Sequence, residues 1–127
     1  MAINKKIIIG IDIGGSKINA ILFNNGKVLQ SSKIPTSKNR KEFLEKLEVL
    51  IKELIFGAGN KKISGIGCGV AGVIDSERGV ILNSPNMRFL NNFNIKNWLS
   101  KKFHFSVKVD NDARCFTHAE HMFGAGR

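Results

Sequence analysis

In the run IIIGIDIGGSKINAILF, residues 7–23, a strand-like apolar stretch meets a single carboxylate, Asp12, and then breaks at Gly14-Gly15. Two glycines let the backbone lie within van der Waals reach of a ligand, because no Cβ intervenes. The turn amides, the Ser16 hydroxyl and the Lys17 ammonium are donors suited to phosphate oxygens. Asp12 supplies the opposite charge, which suits a hydrated Mg²⁺ riding on those phosphates. The bland alternative is a plain hairpin turn with Asp12 facing solvent. An unpartnered aspartate in a buried strand is costly, and this favours the ligand-binding reading.

A second candidate lies about a hundred residues on, at Asn111-Asp112. A carboxylate there could act as a general base on an attacking hydroxyl while the neighbouring amide orients the acceptor. Asn86 and Asn111 can each donate and accept, as sugar hydroxyls require. Asp112, Asp110 or Asn111 could equally be helix N-caps. A third group, Cys115, His118, Glu120 and His121, places two histidines three apart, but a zinc site needs three or four supported ligands.

These residues need a frame. Ile7–Ile13 predicts a buried strand, too short and too β-branched for a helix. Lys17–Phe23 alternates, Asn24-Asn25-Gly26 supplies hairpin-turn residues, and Lys27–Ile34 returns as a third strand ended by Pro35. Asn39 and Glu42 have capping-box spacing. Phe43, Leu44, Leu47, Leu50, Ile51, Leu54 and Ile55 then follow one helical face, and Gly57 is read as its stop. Strands are expected at Lys62–Val70, at Val80–Leu82 after the turn Asp75–Gly79, and at Phe105–Val109. Helices are expected at Ile95–Phe103 and Ala113–Phe123. The order β-β-β-α-β-β-α-β-α implies an α/β domain with a mixed five-stranded sheet and helices on both faces. In such sheets ligands collect at the carboxyl ends of strands. Asp12 and its glycines, Ala71-Gly72 with Asn83–Asn86, and Asn111-Asp112 all fall there.

The bulk composition is that of one globular domain: 127 residues, 43% hydrophobic and 24% charged, with two prolines. No apolar run approaches the ~18 residues of a membrane span, and no signal-peptide body follows Met1–Lys6, so the chain reads as cytoplasmic with no membrane partner. The net charge of +10 is dispersed in pairs such as Lys5-Lys6, Lys61-Lys62 and Lys101-Lys102, with one cluster at Lys38–Lys41. That distribution points to a generally basic surface rather than a nucleic-acid footprint. Cys68 and Cys115 sit in apolar stretches and read as buried thiols.

The strings IGIDIGGSKINAILF, GIGCGVAGVID, NSPN and VDNDARCFTHAEHMFGAGR, in this order and spacing, resemble the ROK (repressor, open reading frame, kinase) family over essentially the whole chain. That family includes glucokinases, N-acetylglucosamine and N-acetylmannosamine kinases, fructokinases and sugar-responsive repressors. The resemblance implies an actin-like (ribonuclease-H-like) fold, with residues 1–127 as the N-terminal domain of a two-domain kinase. It implies that Asp12, Gly14, Gly15, Ser16 and Lys17 form the first phosphate loop for ATP, with Mg²⁺ held by Asp12 through water. Gly72, Asn86, Asn111 and Asp112 would line the sugar, a hexose or N-acetylhexosamine with an unmodified hexose favoured, and Asp112 would be the catalytic base.

Three positions depart from the family pattern. Ser16 replaces a usual Thr, Ala71 a common proline, and Arg114 the residue, commonly Asn, that follows Asn-Asp-Ala. A cation beside Asp112 would lower its pKa or intrude on the site. The second domain, with its second phosphate loop, adenosine pocket and structural zinc site, has no counterpart in these residues, so the chain alone is expected to turn over little substrate. A homo-oligomer is compatible with the resemblance. The repressor alternative is disfavoured because six residues before Ile7 are too few for a helix-turn-helix. A stand-alone sugar-binding module is the remaining alternative.

Overall fold

The computed structural model describes residues 7–24 and 27–111. Strands β1 (Ile7–Ile13), β2 (Lys17–Asn24) and β3 (Lys27–Pro35) form the expected antiparallel meander. Its second turn, at residues 25–26, lies outside the described residues. Helix α1 (Arg40–Ala58) follows, then β4 (Ile63–Val70), which pairs parallel to β1. After β5 (Val73–Asp75), β6 (Val80–Asn83), β7 (Phe93–Asn94) and helix α2 (Ile95–Phe103), strand β8 (Ser106–Asp110) pairs parallel to β4. The main sheet is thus five-stranded and mixed, ordered β3-β2-β1-β4-β8.

The alternation within the strands explains where the core sits. Ile9, Ile11 and Ile13 of β1 stand level with Ile66, Cys68 and Val70 of β4, and Val107 and Val109 of β8 continue two of those rows. All belong to one buried cluster with Phe43, Leu47, Leu50, Ile51 and Leu54 of α1 and with Ile95 and Leu99 of α2. Both described helices therefore cover the same face. Each of those aliphatic side chains contributes roughly 1.5–3 kcal/mol through burial. The opposite face carries Ile8, Gly10 and Asp12 of β1 level with Gly65, Gly67 and Gly69 of β4. The helix expected at Ala113–Phe123 lies outside the described residues.

Helix α1 starts as its sequence dictates: the Asn39 side chain accepts the Glu42 amide at 2.9 Å. Its end differs from expectation. Gly57 remains helical and lies against the Gln30 side chain, and the chain leaves the helix at Gly59, whose φ of 63° is left-handed. Of two glycines flanking Ala58, the one in the left-handed region ends the helix. Helix α2 spans its expected residues, with Asn94 capping the Asn97 amide and His104 closing it at φ 60°. Strand β6 is the expected one, and β5 and β7, which pair with it in a small second sheet, are additional to the expected order. The turn before β6 closes through Gly79 N–H to Asp75 O at 2.7 Å and an Arg78–Asp75 ion pair at 2.8 Å.

Candidate functional site

Parallel strands β1, β4 and β8 end at one rim of the main sheet. There Asp12 stands level with Gly69, and Gly69 with Asp110. In the other direction the row continues through Asn19 to Lys33. Strict alternation puts all of these on the face away from α1, because Ile11 and Ile13 point into the helix-covered core. The backbones bearing Asp12 and Asp110 are two strand spacings apart, about 10 Å. The residue between them, Gly69, has no side chain. Asp12 is half-buried, and burial pushes its carboxyl pKa above the ordinary 3.8.

The turn after β1 is a tight hairpin rather than a helix start. Gly14 N–H donates to Lys17 O at 3.0 Å, and β2 departs antiparallel. Thr36, just after β3, braces the turn twice: its hydroxyl donates to Gly14 O at 2.7 Å and its amide to Ser16 O at 3.0 Å. The Gly15 and Ser16 amides, the Ser16 hydroxyl and the exposed Lys17 ammonium have no hydrogen-bond partner among the described residues. That leaves a set of donors facing outward at the rim, the chemistry an oxyanion requires.

Gly72 and Asn86 reach the same rim from the other side. Ala71 N–H donates to Ile13 O at 3.1 Å, which extends the β1–β4 pairing by one residue and fixes Gly72 next to the turn. Gly72 adopts φ 144°, and a Cβ there would run into the carbonyl of Asn83. The loop from Asn83 to Asn86 is anchored by Ser84, a fully buried hydroxyl that donates to Ala71 O at 2.8 Å. Its amide donates to the Asn91 side chain at 2.8 Å, and its carbonyl accepts the Met87 amide at 3.1 Å. So held, Asn86 lies directly over the hairpin tip: a Cβ on Gly15 would come within 2.8 Å of Asn86 Cβ. Arg40, at the start of α1, steadies the far side of this loop. It donates to Phe89 O at 2.9 Å and Asn91 O at 3.3 Å, with its guanidinium 4.9 Å from the Phe93 ring centre.

Beyond β8, exposed Asn111 is oriented by its predecessor: its amide donates to Asp110 Oδ1 at 2.7 Å. The Ser76 hydroxyl reaches the same oxygen at 3.5 Å. Asp112 lies outside the described residues, as do Arg114 and the Cys115, His118, Glu120 and His121 group. The structure thus brings Asp12, Gly14, Gly15, Ser16, Lys17, Gly72, Asn86 and Asn111 to one rim. Thr36, Ser84, Asn91 and Asp110 were not singled out as site residues from sequence, although Ser84 and Asp110 sit within the quoted motifs. Cys68 is a buried thiol in the core, as expected.

Among the described residues no three metal-ligating side chains cluster. The described donors therefore do not fit a metal caged by protein. One half-buried carboxylate beside outward-facing phosphate donors fits a hydrated Mg²⁺ carried by a polyphosphate, which binds through one or two carboxylates and its own waters. Among the described residues no helix is long and apolar enough to cross a membrane.

Known proteins resemble this chain in sequence and fold. The chain is 33% identical over 131 aligned positions to the xylose repressor of Caldicellulosiruptor bescii, covering 98% of this chain and 33% of that protein. Among solved structures, a ROK hexokinase from Thermus thermophilus superposes with a TM-score of 0.77 at 32% identity, over 94% of this chain and 40% of its own. A ROK family glucokinase from Streptomyces griseus, solved with glucose and AMPPNP, gives a TM-score of 0.76 at 27% identity, over 95% of this chain and 38% of its own. These likenesses bear out the expected actin-like α/β fold. The chain spans about a third of the length of the first curated relatives it matches. With the family pattern matched across residues 8–127, the chain belongs to the ROK family.

Proposed function

We propose that this chain is the N-terminal, sugar- and phosphate-binding domain of an ATP-dependent hexose kinase of the glucokinase type. The observation that carries the reading is the convergence of Asp12, the Gly14–Lys17 turn, Gly72, Asn86 and Asn111 at one sheet rim. The turn donors and Lys17 would hold nucleotide phosphates. Asp12 would receive the magnesium's water shell, and the bound ion would neutralise charge developing on the phosphates. Gly72 and the carboxamides of Asn86 and Asn111 would fix the sugar. Asp112, next in the chain after Asn111, would take the proton from the attacking hydroxyl. Phosphoryl transfer asks little else of a protein beyond positioning and charge stabilisation. The adenosine pocket and domain closure would come from a second domain of the kind its relatives' extra length accommodates.

A second reading is favoured by the 33% identity to a xylose repressor: a sugar-responsive regulator using the same sugar pocket. One titration separates the two. In the ¹⁵N-labelled chain, glucose is expected to shift Asn86 and Asn111, and Mg·AMPPNP to shift Gly14–Lys17. A regulator would answer to a sugar alone. Glucose shifts confined to residues far from Asn86 and Asn111 would overturn the site assignment itself.

A further inference from the structure

We infer that Asn86 couples the sugar and nucleotide subsites, so that sugar occupancy sets the shape of the phosphate-binding turn. The inference rests on the kinase reading and deepens it. The physical basis is the contact between Gly15 and Asn86, where the hairpin tip lies so close to the Asn86 side chain that even one added carbon would not fit. Both residues are exposed, and no hydrogen bond ties one to the other. Their contact is van der Waals packing alone, and its tightness depends on where the Asn86 side chain is held. A sugar hydroxyl bonded to the carboxamide would fix that side chain and so present a rigid wall to the Gly15 backbone.

The surrounding bonds make this contact the adjustable member of an otherwise closed ring. From Gly15 the chain runs back to Ile13, whose carbonyl accepts the Ala71 amide. The Ala71 carbonyl accepts the Ser84 hydroxyl, and Ser84 lies two residues from Asn86. Thr36 pins the turn on its other flank through Gly14 O and Ser16 O. With the Gly14 amide, the Gly14 carbonyl and the Ser16 carbonyl held by hydrogen bonds, the Gly15–Ser16 peptide at the tip is what remains to be ordered. Ordering it with one ligand spares the second ligand that loss of freedom, which is positive coupling. By linkage the effect is reciprocal: nucleotide would tighten sugar by the same factor.

The test is a coupling measurement by calorimetry on the chain, with Mg·AMPPNP titrated in the absence and in the presence of saturating glucose. The expected result is at least about five-fold tighter nucleotide binding with glucose, the lower end of ordinary site-to-site coupling. Gly15→Ala, which drives a methyl into Asn86, is expected to weaken nucleotide binding and bring the ratio close to one. Combining it with Asn86→Gly removes the obstructing Cβ. Nucleotide affinity should then recover while the coupling stays lost, a pattern that general damage to the fold would not produce. Should Gly15→Ala fail to fold, Asn86→Gly alone is expected to abolish the coupling. If wild-type chain binds both ligands with a ratio of one, the inference is overturned and the kinase reading stands. If it binds glucose and no nucleotide, the inference alone falls, because the kinase reading places the adenosine pocket in a second domain; if it binds no glucose, both fall.

Discussion

Ser84 holds the rim together from beneath, and removing its hydroxyl is the sharpest stability test of the site. The side chain is fully buried and donates one 2.8 Å bond to Ala71 O. In Ser84→Ala the backbone bonds to Asn91 and Met87 persist, so one hydrogen bond is lost, about 0.5–1.5 kcal/mol net. The stranded acceptor adds little, because Ala71 is exposed and water can reach it. A net destabilisation of about 0.5–1.5 kcal/mol follows. For 127 residues the unfolding entropy is about 0.27 kcal/mol/K, so Tm should fall by about 2–6 °C. Urea unfolding followed by circular dichroism measures the energy and a thermal melt the shift. The variant should also loosen Gly72 and Asn86, seen as faster amide exchange at Ala71–Val73 and Met87 but not within α1. A variant whose urea midpoint and exchange pattern match wild type would refute the idea that this hydroxyl braces the loop.

Asp12→Asn should separate stability from function. Burial raises the Asp12 pKa, so its ionised form disfavours folding. Its contribution to stability is fully present below the unfolded-state value of 3.8 and is lost as pH rises through the raised folded-state value. The variant is therefore expected to be more stable than wild type at pH 7 and to converge with it in acid, by urea midpoints across pH 3–7, while Mg·AMPPNP binding weakens. Gly72→Ala combines a φ of 144° with a Cβ driven into Asn83 O and should destabilise by about 2–4 kcal/mol in the same unfolding assay.

Local physics carried much of the fold. Strand β1, helix α1 with its Asn39 cap, and helix α2 follow from apolar periodicity and capping residues within a few positions of one another. Strands β5 and β7 escaped because runs of two or three residues, none of them buried, carry no readable period. The end of α1 was misread because composition offers Gly57 and Gly59 equally, and only the backbone angle at Gly59 separates them. At the site, residue type pointed to Asp12, the glycine turn, Asn86 and Asn111. The supports did not announce themselves. Thr36 acts on Gly14 across 22 positions and Ser84 on Ala71 across 13, and neither separation belongs to a local motif. Asp110 was weighed only as a helix cap, yet its place level with Asp12 emerges only once β4 is seen to lie between their strands.

Strand β4 sets large residues against none: Ile66, Cys68 and Val70 on the helix side, Gly65, Gly67 and Gly69 on the other. Sliding it one position along β1 would turn three bare backbones toward α1 and empty the middle of the core. That penalty leaves the strand a single permitted height beside β1. The height at which Ala71 meets Ile13, and hence the spacing between the two halves of the crevice, is thereby dictated from the interior, so conservative changes on the crevice surface can retune what is held without moving the walls.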